Sequence, residues 1–289
     1  MLHPRTLLFL ALPAIALYVL FSLYPLLSSA QLSLTSFRGV GTATWVGLEN
    51  YVTVFQEPRY RQAVLVTLQY SLIVVVLQNG FGLALATLLN GLPAVRSALR
   101  VLLLLPSMFS PVIAGFIWVY LYNPLGGGLN ALLGALHLGS WQRVWLGDPS
   151  VSIFAVTAVH VWMFSGYSAA IYLAGYLGIP AELSDAATID GATSWQRFWK
   201  LDLPLLAPAL TIAVTLSTIG TLRAFDLPFV MTAGGPDGAT TTLGVSIYKS
   251  MITDYRYGLA SAISMVLLVL VAGVALIQNV LLRRQDDKL

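Results

Sequence analysis

Charged side chains are so sparse along this chain that the gaps between them outline its architecture. Residues 6–37, 62–95, 101–142, 149–181, 203–222 and 257–282 contain no Asp, Glu, Lys or Arg and are mostly apolar. A charge at the centre of a bilayer costs about 2.5–3.5 kcal/mol, and a hydrocarbon core about 30 Å thick takes about 20 helical residues to cross. The pattern therefore predicts six membrane-spanning helices, near residues 7–30, 64–90, 99–122, 151–176, 205–225 and 259–282. The first run follows Arg5 and carries Ser28 and Ala30 where a signal-peptide cleavage site would have small residues. It is too long for a signal peptide and is interrupted by Pro25, so it reads as a retained helix.

Between these runs the chain is short of material for a second domain, and residues 1–289 read as one transmembrane domain. Residues 31–63 are moderately polar, Gly126–Gly128 form a turn, and 234–256 is a Gly- and Thr-rich connection. With six spans both termini share one side. That side carries 8 of the 15 basic residues (Arg5, Arg96, Arg100, Arg197, Lys200, Arg283, Arg284, Lys288), leaving 7 on the other. So even a split does not orient the chain by the positive-inside rule.

Residues 180–204 stand apart, gathering Glu182, Asp185, Asp190, Arg197, Lys200 and Asp202. Pro180 suits a helix start, Ala186-Ala187 favours helix, and Gly191 can adopt the left-handed conformation that ends one. Thr193 followed by Gln196 is a capping-box pattern for a second short helix running toward Leu203-Pro204. This predicts a helix–turn–helix across the membrane face, with Trp195, Phe198 and Trp199 anchoring its second half at headgroup level. The paired alanines offer a flat surface that another protein can approach closely.

Composition narrows the chemistry. Charged residues are 9% of the chain, against about 25% in soluble domains, and the mean hydropathy is +0.81. The net charge of +3 comes from basic residues scattered among short loops, which suits anionic lipid and not nucleic acid. Without cysteine, disulfides, thiolate metal sites and cysteine nucleophiles are excluded. Lys200, Lys249 and Lys288 are not preceded by glycine, so the chain carries no phosphate-binding P-loop of its own. The predicted helix cores hold no carboxylate, which argues against an ion-gradient symporter. Of the three histidines only His160 falls within a predicted span, with no acid, nucleophile or metal cluster beside it. A membrane enzyme acting on lipid would need such a cluster at one face, and only 180–204 offers one.

The stretch DAATIDGAT…LDLP resembles the loop signature of permeases in binding-protein-dependent ABC importers. That signature is Glu-Ala-Ala, three residues, Gly, nine residues, then an aliphatic, any residue and Leu-Pro. Asp185-Ala186-Ala187, Gly191, Leu201 and Leu203-Pro204 meet it at the same spacing, with Asp185 in place of Glu. GLENYVTVFQEPRY (47–60), RVLLLLPSMFSPVIAGFIWVYLYNP (100–124), GGGLN (126–130), FDLPFVMTAGGP (225–236) and YGLASAIS (257–264) resemble segments of sugar and polyol permeases of the maltose and glycerol-phosphate type, in their compact six-helix form.

The resemblance implies an all-α inner-membrane protein with both termini in the cytoplasm and a cytoplasmic coupling loop between helices four and five. It also implies a second homologous permease, two ATP-binding cassette subunits that hold ATP-Mg, and an external sugar-binding protein. The chain itself would carry no cofactor and do no covalent chemistry. Glu182, Asp185, Ala186, Ala187, Asp190, Gly191, Leu203 and Pro204 would seat on the ATP-binding subunit. The transport path is expected on the helices flanking the loop. Ser217, Thr221 and Ala224 fall at i, i+4 and i+7 with Gly220 beside them, and Phe164 and Tyr167 share a face. Hydroxyls opposite aromatic rings suit a sugar; the alternative is an importer permease for a polyol phosphate, peptide or amino acid.

Overall fold

Prolines decide where the helices of this chain start, widen and bend. The computed structural model describes residues 12–286, so residues 7–11 of the first predicted span, His3, Arg5 and Lys288 lie outside the described residues. Helix α1 (Leu12–Leu32) has a π turn at Val19–Leu23, with Tyr24 N–H bonding to the Val19 carbonyl. Pro25 has no N–H for the carbonyl of Phe21, and the widened turn absorbs that mismatch.

The described chain divides into two compact units, one running through Arg61 together with Ser246–Val269, the other Gln62–Val245 together with the chain from Leu270 on. In the first, α1 leads into a hairpin-like loop closed by a bridge between Thr35 and Trp45. Helix α2 (Glu49–Gln56) pins that loop, because the buried Asn50 amide donates to the carbonyls of Ser33 and Thr35, both at 2.8 Å. Among the described residues there is no β-strand beyond this bridge.

The second unit is helical. Helix α3 (Pro58–Asn90) starts earlier than the predicted 64 because Pro58 suits a first turn. The predicted single helix over 99–122 is corrected to two, α4 (Arg96–Met108) and α5 (Pro111–Leu121), bent by 89°. Pro111 disfavours helical geometry in the residue before it, and Ser110 and Phe109 are extended, with ψ 135° and 147°. After a short helix α6 (Gly128–Ala135) comes α7 (Ser152–Leu177), where the sequence places 151–176. It is the most enclosed span, with 61% of its apolar window buried. Gly166 makes this possible, since a Cβ there would meet the Leu103 carbonyl of α4.

Helices α8 (Ala181–Ile189) and α9 (Ser194–Leu205) come next, then α10 (Ala207–Leu222), bent 70° from α9. The predicted 205–225 is thus shortened at both ends. Pro208 lacks the N–H that would bond the Pro204 carbonyl, which breaks the helix at Leu206, and Arg223 ends it ahead of α11 (Asp226–Thr232). The first unit resumes within α12 (Leu243–Tyr248) and takes in a π turn at Lys249–Thr253 and the start of α13 (Tyr257–Asp286). Among the described residues four helices are long and apolar enough to cross a membrane, and up to six crossings result if each bent pair counts as one.

Uncharged polar side chains tie α3 to α7 and α10. Asn79 Nδ2 donates to Ser217 Oγ, and the Tyr172 hydroxyl donates to Asn79 Oδ1, both at 2.8 Å. Gln78 Nε2 donates to Ser168 Oγ at 2.9 Å. In a membrane interior such bonds replace the hydrophobic drive that holds soluble helices together.

Candidate functional site

The segment 180–204 is a helix–turn–helix whose turn is fixed by local hydrogen bonds. Gly191 sits at φ +74°. Its N–H reaches the Thr188 carbonyl at 3.1 Å, while Ala192 N–H reaches that of Ala187 at 3.0 Å. This pairing is a complete Schellman motif, which needs a left-handed residue at Gly191. The second helix opens on a capping box, with Thr193 N–H to Gln196 Oε1 at 2.9 Å and Gln196 N–H to Thr193 Oγ1 at 3.3 Å. On α8, Glu182, Asp185 and Ala186 are exposed and Ala187 is half-buried; Asp190 and Gly191 are exposed beyond its end. Leu203 and Pro204 are half-buried. Asp202 is buried, with Arg197 Nε 3.8 Å away. Burial pushes the Asp202 carboxyl above the usual carboxylate range, and the Arg197 charge pulls the other way.

Between α3, α7, α10 and the turn after it lies a cavity of about 380 Å³. Five of the six residues expected in a transport path line it together: Phe164, Tyr167, Ser217, Gly220 and Ala224. Ala224 reaches the wall from the turn beyond α10, not from its helical face. Thr221 does not line it, a correction to the expected face. It is fully buried, and its hydroxyl is engaged by Ser71 Oγ at 2.7 Å and by the Ser217 carbonyl at 2.8 Å. The i, i+4 spacing from Ser217 is right, but the shared face is the one packed on α3. Ser217 borders both, its hydroxyl accepting from Asn79 and donating to the Val214 carbonyl at 3.0 Å.

Several further wall residues are not among those expected in the path: Tyr70 and Gln78 of α3, His160, Arg223 and Asp226. His160 Nδ1 and the Tyr70 hydroxyl are hydrogen-bonded at 2.9 Å, and the His160 ring lies 4.8 Å from that of Phe164. Tyr167 is 46% exposed and offers both ring and hydroxyl. The signal that would have found the α3 residues is Thr67, Ser71 and Gln78, uncharged polar positions recurring near one face of an apolar run. The wall combines aromatic faces with hydrogen-bonding groups of both kinds, which suits a hydroxyl-rich solute. No three His, Asp or Glu side chains converge on a metal position among the described residues.

Comparison with known proteins agrees with this architecture. The chain is 34% identical over 265 residues to the probable ABC transporter permease protein YurN of Bacillus subtilis, covering 90% of each chain. It is 33% identical over 267 residues to the trehalose/maltose transport system permease protein MalF of Thermococcus litoralis, covering 92% of this chain and 90% of that one. In fold it matches a subunit in the crystal structure of a bacterial ABC transporter that imports the acidic polysaccharide alginate. There the TM-score is 0.85 at 24% identity, over 97% of this chain and 96% of that one. A family described as the binding-protein-dependent transport system inner membrane component matches residues 78–287. With those residues matched and the two permeases aligned over nearly their whole length, the chain belongs to the inner-membrane components of binding-protein-dependent transport systems.

Proposed function

We propose that this permease imports a sugar or oligosaccharide, crossing the membrane six times with both termini in the cytoplasm. Helices α4 and α5 together then make one crossing, and α10 makes another, with α9 outside it. It works beside a second, homologous permease, two ATP-binding subunits that hold ATP-Mg, and an external sugar-binding protein. The observation that carries the reading is the 380 Å³ cavity, walled by the two helices that flank segment 180–204. Phe164 and Tyr167 supply stacking faces, while His160, Gln78 and the rim pair Arg223 and Asp226 supply hydrogen-bonding groups. The likeness to a trehalose/maltose permease supports the solute class.

In this account α8 is the coupling element. Glu182, Asp185 and Asp190 meet donors on the ATP-binding subunit, Ala186 and Ala187 allow close approach, and Gly191 with Leu203-Pro204 fixes the aim of the second arm. Closure of the ATP-binding pair moves the loop. Asn79 holds α7 and α10 to α3, so the three helices shift as one and change access to the cavity. A phosphorylated polyol is the second reading, favoured by the guanidinium of Arg223 at the rim.

Single cysteines at 164, 167 and 220 in this cysteine-free chain test the path. In the assembled transporter a water-soluble thiol reagent should label them, and the transported sugar should protect them. Labelling that no sugar or polyol phosphate slows would refute the assignment of the cavity.

A further inference from the structure

The two arms of segment 180–204 differ in chemistry and in what they leave exposed. Arm α8 carries Glu182 and Asp185 and no cation, with Asp190 as its cap. Arm α9 carries Arg197 and Lys200 against one carboxylate, the buried Asp202. It also holds an aromatic cluster: Trp195 and Trp199 are 5.4 Å apart, and Phe198 is 5.2 Å from Trp199. Despite those mutual contacts Trp195 is 70% and Trp199 50% exposed.

Their direction comes from the bend. Spanning helices tilt by about 20° from the bilayer normal. An arm bent 70° from the span α10 therefore lies closer to the membrane plane than to the normal. It is joined to the end of that span through Leu206 alone. Its inner side is closed by Asp202, while Leu206 packs into a buried cluster with Tyr172 and Tyr176. Trp195 and Trp199 sit four residues apart, on one helical face. Exposed tryptophans with basic neighbours, at the end of a span and along the membrane plane, match the headgroup layer. The acidic arm would be repelled there, because the cytoplasmic leaflet is negative.

We infer that the two arms serve two partners: α9 is seated in the anionic headgroup layer through Trp195, Trp199 and Lys200, and only α8 is left for the ATP-binding subunit. The assignment of α8 rests on the function proposed above; that of α9 does not. Seating one arm in lipid gives the loop a fixed base against which α8 moves, and makes coupling depend on anionic lipid.

The test uses the full chain with its partner permease in vesicles of phosphatidylethanolamine and phosphatidylglycerol, with and without the ATP-binding subunits. Nitroxide labels are placed singly by Trp195→Cys, Trp199→Cys, Ala186→Cys and Asp190→Cys. Collision with oxygen reports membrane, and collision with a water-soluble nickel complex reports solvent. Labels at 195 and 199 should favour oxygen severalfold whether or not the ATP-binding subunits are present. Those at 186 and 190 should favour nickel until those subunits bind. If either tryptophan variant fails to assemble, labels at Ser194 and Lys200 read the same arm. Nickel access at 195 and 199 that is lost only when the ATP-binding subunits bind would overturn the lipid assignment. Unchanged nickel access at 186 would instead overturn the docking of α8 and leave α9 where it is. In phosphatidylcholine alone the oxygen preference at 195 should weaken, and an unchanged preference would overturn the role given to Lys200.

Discussion

Replacing Gly191 separates backbone geometry from contact, because the structure leaves open space around it. A Cβ built at this position meets nothing within 4 Å, so no neighbour has to move. The cost lies in φ +74°, where an L-residue is disfavoured by about 1–2 kcal/mol and Asn by less. Valine, branched at Cβ, is worse than alanine. If the Schellman turn must form for the loop to engage its ATPase, a penalty of about 1–2 kcal/mol weakens engagement by about 5–30-fold. Coupling should fall in the order Gly, Asn, Ala, Val. The assay is co-purification of the ATP-binding subunit and sugar-stimulated ATPase activity in proteoliposomes, with thermal stability as the control. The melting temperature of the membrane helices should hardly change, since a side chain at 191 displaces no neighbour. A Gly191→Val protein that binds and stimulates its ATPase like the parent, or an Asn variant worse than Val, would refute the reasoning.

Three further outcomes are expected. Thr221→Val should lower thermal stability by about 0.6–1.7 kcal/mol, the range for one buried hydrogen bond in a membrane protein, and leave the apparent sugar affinity unchanged, measured by uptake against concentration; a changed affinity would return Thr221 to the cavity wall. Asn79→Leu strands the Tyr172 hydroxyl and removes the donor to Ser217 Oγ, which keeps its bond to the Val214 carbonyl, and should cost about 1–3 kcal/mol; adding Tyr172→Phe should recover part of the loss in a double-mutant cycle, and strict additivity would contradict the node. The raised Asp202 carboxyl takes up its proton more readily in the folded chain than in the unfolded one. Its contribution therefore favours the fold at acid pH and is lost as pH rises through the raised value, so Asp202→Asn should flatten the dependence of Tm on pH just above the ordinary carboxylate range; an unaltered slope would count against burial as the dominant cause.

How far each feature is legible in the sequence depends on the range over which its signal acts. The Schellman turn at Gly191 and the capping box at Thr193 and Gln196 are written within a few residues, so side-chain type and spacing suffice. The span Ser152–Leu177 emerges because the only prolines of its charge-free run, Pro149 and Pro180, lie outside the helix at either end. The break between α4 and α5 does not, because counting charges is blind to Pro106 and Pro111 inside an unbroken apolar run. The end of α10 is likewise set from downstream, where Asp226 and Pro228 start a new helix.

Thr221 shows a different limit. Periodicity places it on one face with Ser217, but which helix covers that face depends on Ser71, which lies 150 residues away. Tyr70 and Gln78 are invisible when the second run is judged by its length alone. His160 reads from sequence only as a lone histidine within a span, and it is hydrogen-bonded to Tyr70 while also facing the cavity. Long-range pairing decides all four.

The central claim is that this chain passes a sugar inward at the expense of ATP bound elsewhere. The most direct measurement is uptake into proteoliposomes holding the chain, its partner permease and the ATP-binding subunits, with ATP enclosed and the binding protein outside. Labelled sugar should accumulate above its external concentration only when ATP and the binding protein are both present. Tyr167→Ala should slow this uptake while leaving assembly intact. Accumulation that persists without ATP, or that collapses with a proton or sodium gradient while ATP remains, would contradict the account.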